Sequence, residues 1–261
     1  MSSAKRLAYA YAVGRVRALE KYLVPEAIFR EATEADDFRS ALKLVYDAGA
    51  YPEDLIRVGS SADLDALLQR EEEKLKHLLE EILVERDLLE AWSLEAKPDK
   101  ALALSSRAGY PFINDYFRQR IDLANVKIFF RAKYMEFSLD KLERALLFGG
   151  GIAQRTFLEA YPLPWSEAAE RFRATPYGEL WAQTVEDIKE RETFVGLERR
   201  SEDFLMAYLR RAKYITFGPE PVFSYGLAKK KEIGLIRFLG VGKMLHIPVE
   251  MLKGRISATY V

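Results

Sequence analysis

The stretch that most constrains this chain runs from Gly218 to Ile256, GPEPVFSYGLAKKKEIGLIRFLGVGKMLHIPVEMLKGRI. It reads as a long helix, a break at His246 and a second helix opened by Pro248, because a proline in a first turn gives up an N–H that has no intrahelical partner there. The pattern recurs earlier in the chain. Laid on EIGLIRFLGVGKMLHIPVEML (Glu232 to Leu252), the segment DLANVKIFFRAKYMEFSLDKL (Asp122 to Leu142) pairs apolar with apolar at Leu123 and Ile233, Val126 and Ile236, and Phe137 and Ile247. Like charges pair at Asp122 and Glu232, Lys127 and Arg237, Lys133 and Lys243, and Asp140 and Glu250, and Ser138 stands where Pro248 sits. Only two positions are identical, Lys133 with Lys243 and Leu142 with Leu252, so the agreement lies in helix, corner and helix start. A fainter third copy opens the chain, where Arg15 to Ala27 carries a helix, a shorter corner and Pro25. Repeat units are therefore expected around 4–49, 111–151 and 219–261 of a single domain.

The remaining elements also read as helices, and no stretch alternates with period two. A first helix is expected from about Lys5 to Val24, and a later one capped by Thr33, with Glu34, Asp36 and Asp37 in its first turn. Ser60 or Ser61 should cap a long polar helix over Ala62 to Ala96, whose Leu64, Leu68, Leu75, Leu78, Ile82, Leu89 and Trp92 follow a heptad seam. Glu71 and Glu85 fill the two remaining seam positions and predict a seam that is partly wet or partner-facing. Pro111 should start a helix crowded with apolar residues on several sides, the mark of burial between other helices. Gly149, Gly150 and Gly151 should end the short helix after the corner. Further helices are expected at 167–173, 176–191 and 199–213, joined to what precedes them by the extended YPLPW connection. Glycines at 226, 234, 240 and 242 each cost about 1 kcal/mol in a helix interior. Close approach of another helix to Gly234, Gly240 or both would compensate.

Chemistry is conspicuous mainly by exclusion. Of the 261 residues, 40 are Lys or Arg and 40 are Asp or Glu, and this zero net charge gives no support to polyanion binding. Without cysteine there is no disulfide framework or thiolate site. The two histidines, His77 and His246, form no metal spacing and leave the serines without a base. GVGKM at 240–244 lacks the upstream glycine and the hydroxyl residue of a phosphate-binding loop. No run reaches the ~20 apolar residues of a membrane span, and the N-terminus has no signal-peptide pattern. Lys229, Lys230 and Lys231 form the densest basic run, and Arg210, Arg211 and Lys213 a second cluster. Both are explained by solvated helix faces; the functional reading is contact with an acidic partner.

The GPEP-initiated helix with its LAKKKEIGLIRFLGVGK body, together with RIDLANVKIFFRAK from Arg120 to Lys133, resembles the C subunits of the bacterial and archaeal V-type (A-type) ATPases, whose eukaryotic equivalent is the V-ATPase d subunit. The chain looks shorter than typical members. The resemblance implies an all-α funnel or socket of helix-corner-helix units in the central stalk of a rotary ATPase. Such a protein would be non-catalytic and without cofactor or metal, linking the rotating shaft subunits to the membrane proteolipid ring. One copy per complex is implied, monomeric when isolated, on the cytoplasmic side and bound to the membrane only through the complex. The candidate partner-binding residues are Arg210, Arg211, Lys229, Lys230, Lys231, Glu71 and Glu85. A helical-repeat adaptor unrelated to ion transport is the competing reading, and nucleic-acid binding is disfavoured by the neutral charge.

Overall fold

The structure is a computed structural model that describes residues 7–261. The expected helix start at Lys5 and the first residues of the expected 4–49 unit lie outside that range. Among the described residues the fold is all-α, with no strand. In chain order the helices are α1 (Ala10–Glu20), α2 (Glu26–Glu34), α3 (Phe38–Ala48), α4 (Asp54–Arg57), α5 (Ser61–Ile82), α6 (Arg86–Ser93), α7 (Pro98–Ala108) and α8 (Pro111–Tyr134). They continue with α9 (Leu139–Ala145), α10 (Gln154–Ala160), α11 (Trp165–Phe172), α12 (Gly178–Arg191) and α13 (Val195–Arg210). A 3-10 turn, Arg211–Tyr214, then leads to α14 (Pro219–Met244) and α15 (Val249–Arg255). The chain divides into two compact units, one running through Trp92 and resuming over Met206–Val261, the other Ser93–Leu205.

In the first unit α14 is the spine, packed by α1, α2, α3 and α5. Ile233, Ile236 and Leu239 lie in one core with Phe29, Leu42, Val45, Leu64 and Leu68. Each such side chain, fully buried, contributes about 1.5–3 kcal/mol before the entropy of ordering is subtracted. The glycines of α14 explain how neighbours come so close. A Cβ on Gly226 would meet Leu79 at 2.8 Å, one on Gly242 would meet Leu252 at 2.5 Å, and one on Gly240 would run into Leu64. Gly234 faces open space, and nothing in the structure explains it.

In the second unit the spine is α8, against which α7 and α9 pack. The aromatic core is built on Phe129, Phe130, Phe157, Phe172 and Trp181, all fully buried. Phe172 stacks on Trp181 with ring centres 3.9 Å apart, and Phe130 stacks on Trp165 at 5.5 Å.

Three local expectations need correction. Thr33 is no cap: it lies inside α2, where its hydroxyl donates to the Arg30 carbonyl at 2.7 Å. Asp37, in extended conformation, caps α3 by accepting from the Ser40 N–H at 2.7 Å. The polar helix expected over 62–96 is two helices, α5 and α6. Ser60 does cap the first, accepting from the Asp63 N–H at 3.2 Å. At the break the Tyr9 hydroxyl accepts the Val84 N–H at 2.9 Å and donates to the Glu85 carboxylate. A distant tyrosine thus takes up the backbone group that a continuous helix would have satisfied, and apolar spacing cannot register that. Finally, α9 ends at Ala145, before the three glycines. Their role is close approach: Gly151 and Ile152 N–H groups donate to Asp122 at 3.0 and 2.9 Å, and a Cβ on Gly150 would run into that carboxylate.

Candidate partner-facing helix corners

Each spine ends in the same corner. After α8 the Phe137 N–H reaches back to the Ala132 carbonyl at 2.9 Å and the Glu136 N–H to Lys133 at 3.3 Å. After α14 the Ile247 N–H reaches Gly242 at 2.9 Å and the His246 N–H reaches Lys243 at 3.1 Å. Both are Schellman closures, which require a left-handed residue. That residue is Glu136 at φ 53° and His246 at φ 52°, where glycine would be the unstrained choice. The N-terminal segment around Pro25 lacks this feature, with no positive φ between α1 and α2.

The positions paired in sequence do equivalent work in the two units. Asp122 and Glu232 are 3% and 2% exposed. Asp122 accepts from the two backbone amides above and from the Tyr177 hydroxyl at 3.1 Å. Glu232 accepts from the Val24 N–H, the Tyr51 hydroxyl and the Lys229 ammonium, each at 2.6 Å. Such donors compensate a buried carboxylate, whose isolated charge would be prohibitively costly. Burial nonetheless holds the Asp122 carboxyl above its ordinary range. One turn further on, Lys127 pairs with Glu198 at 2.7 Å, and Arg237 with Asp65 at 2.9 Å and Glu72 at 3.3 Å. Lys133 donates to the Tyr161 carbonyl at 2.6 Å and Lys243 to the Ala35 carbonyl at 2.5 Å, each tying its corner to another segment. Lys133 also sits 5.4 and 5.3 Å from the Tyr161 and Trp165 ring centres, and burial lowers its pKa. Leu142 and Leu252 are fully buried.

Beside exposed polar residues such as Glu136 and His246, these anchored corners expose large apolar side chains. Met135 is 62% exposed and its counterpart Leu245 is 67% exposed. Tyr134, Phe137 and Leu139 stand out around the first corner, and Met251 one turn beyond the second. Four large apolar side chains exposed within six residues of the first corner make it a candidate surface for a partner.

The charged candidates are placed differently. Of the seven, only Arg211 is exposed. Arg210 donates through Nε to the Thr259 carbonyl at 2.9 Å, Lys229 is bound to Glu232, and Lys230 lies 5.2 Å from the Trp92 ring centre. Lys231 is half-buried. Glu71 pairs with Lys74 at 2.7 Å with its side chain 10% exposed, and Glu85 is bound to Tyr9. The seven do not converge on one site. Long charged side chains lie along apolar helix faces as readily as they point to water, and sequence cannot distinguish the two. The corner residues carried a signal, the apolar pairs of the repeat, but the same pairs read equally well as core.

No group of acidic or histidine side chains among the described residues could hold a metal ion. No helix among them is long and apolar enough to cross a membrane. Residues 98–255, which span both corners, match the ATP synthase (C/AC39) subunit family. The C subunit of a V-type sodium ATPase from Enterococcus hirae is 27% identical over 157 residues, 60% of this chain and 47% of that protein. The C subunit of an A-type ATP synthase from Haloferax volcanii is 24% identical over 143 residues, 54% of this chain and 41% of that protein. The chain thus spans about half the length of the relatives it matches.

Proposed function

The chain belongs to the ATP synthase (C/AC39) subunit family, and from that premise we propose that it is a non-catalytic central-stalk component of a V/A-type rotary ATPase. In this reading it joins the rotating shaft subunits to the membrane proteolipid ring and so links ATP turnover to proton or sodium movement. The observation that carries the reading is the pair of exposed apolar corners on braced spines. A coupler must pass torque without yielding, and densely packed helices with aromatic cores resist shear. In this reading the exposed apolar side chains of a corner are what it offers to the apolar ring. Membrane attachment on the cytoplasmic side is through these protein contacts.

The test is capture of the tagged chain from detergent-solubilised membranes. Nucleotide-binding and proteolipid subunits should co-purify, and the chain alone should not sediment with protein-free liposomes. Recovery without any such subunit, or firm liposome binding, would overturn the reading. In the assembled complex, Met135→Asp with Leu245→Asp should leave ATP hydrolysis running while ion transport is lost.

A further inference from the structure

The 3-10 turn Arg211–Tyr214 holds the most exposed large hydrophobic side chain among those described, Tyr214 at 90%. Exposed loops that bind nothing are usually loose, but this one is clamped. From α1, Nη2 of Arg17 donates to the carbonyls of Ala212 (2.9 Å), Lys213 (2.9 Å) and Ile215 (3.3 Å). Its Nη1 is held by both oxygens of Glu20, at 2.7 and 2.9 Å. Just before the turn Arg210 is tied to the Thr259 carbonyl at 2.9 Å, and within it the Lys213 ammonium lies 4.7 Å from the Tyr260 ring centre. The guanidinium of Arg211 lies 5.0 Å from the Tyr208 ring centre and remains exposed.

Charge is unbalanced here in a chain whose net charge is zero. Arg17, Arg210, Arg211 and Lys213 gather around the turn, with Glu20 the carboxylate bound among them. Burial, reinforced by Arg210 and Arg17, lowers the Lys213 pKa in spite of Glu20, as expected where cations outnumber anions. An aromatic side chain carried on a clamped backbone in a cationic field is partly preorganised for association, since the ordering entropy of the backbone is spent before the partner arrives. The field favours an anionic partner and raises its rate of approach.

We propose that the Arg211–Tyr214 turn is a docking site for an acidic protein surface, with Tyr214 as its apolar anchor. This rests on the central-stalk reading, within which the acidic partner is the water-exposed shaft: a cationic turn needs a charged face rather than the apolar one of a proteolipid ring. Buried tyrosines and arginines are the residues that most often dominate such interfaces.

The experiment measures binding of the full chain to purified shaft subunits, with Tyr214→Ala, Arg211→Glu and, as control, Tyr11→Ala, which removes another exposed tyrosine of the same unit. Tyr214→Ala and Arg211→Glu should each weaken binding about tenfold or more, Tyr11→Ala should not, and wild-type affinity should fall as salt rises. If wild type binds and Tyr214→Ala binds equally well, the docking site is refuted while the central-stalk reading stands. If wild type fails to bind the shaft at all, the central-stalk reading falls and the proposal with it. Tyr214-dependent binding to phosphatidylserine vesicles in place of the shaft would also overturn the proposal.

Discussion

Two glycines on one helix give opposite predictions for the same kind of change. Gly240 is enclosed: a Cβ there would run into Leu64, with Phe38 at 3.5 Å and Leu42 at 3.8 Å behind it. Leu64 and Leu42 are fully buried and cannot swing away without displacing the rest of the core. Gly240→Leu therefore inserts four carbons where not even one fits, and overpacking of this kind costs about 1–3 kcal/mol. The better helix propensity of leucine returns only part of this, about 1 kcal/mol at most. At Gly234 no atom beyond the local helix backbone lies within 4 Å of the place a methyl group would take, so Gly234→Ala collects the propensity gain of about 1 kcal/mol undiminished. At about 2–4 °C per kcal/mol for a chain of this size, thermal unfolding followed by circular dichroism should show Gly234→Ala melting above wild type and Gly240→Leu below it. Equal melting temperatures, or the reverse order, would refute the claim that close packing retains the glycines of α14.

Removing the Glu232 carboxylate (Glu232→Ala) strands a backbone amide, a hydroxyl and an ammonium in the core, and should cost about 3–5 kcal/mol in urea denaturation. For Asp122, burial raises the folded-state pKa, so the folded chain binds the proton more tightly than the unfolded one. The stability this group contributes is present at low pH and is lost as pH rises from the unfolded pKa through the folded one. Asp122→Asn should remove that component of the slope, seen in urea midpoints collected across the carboxylate range. Glu136→Gly and His246→Gly relieve a left-handed backbone and should each raise stability by up to about 1 kcal/mol, measured in the same way.

The sequence made the corner legible because its parts are local: an apolar spine, a stop, and Ser138 or Pro248 to restart the chain. Even the paired charges proved informative, since Asp122 and Glu232 occupy matching buried positions with matching kinds of donor. The partners of those charges were not legible. Nothing near Glu232 in the chain announces Tyr51 or Val24, and nothing near Arg17 announces the carbonyls of the Arg211–Tyr214 turn. The break between α5 and α6 failed for the same reason, because Tyr9 lies 75 residues from Val84. The charged site candidates rested on exposure, and whether a lysine such as Lys229 lies over a ring or points to water is decided by tertiary contacts, here with Tyr51. The corner apolars do not read as a surface in sequence because Met135 and Leu245 have the residue type of a core.

The most direct test of the coupling role uses the absence of cysteine from the chain. Leu245→Cys introduces a single thiol at the second corner, and a thiol-directed photo-cross-linker placed there reports what covers it in the assembled ATPase. The coupling account predicts adducts with proteolipid ring subunits. A cross-linker that reacts only with water, or only with subunits remote from the ring, would contradict it.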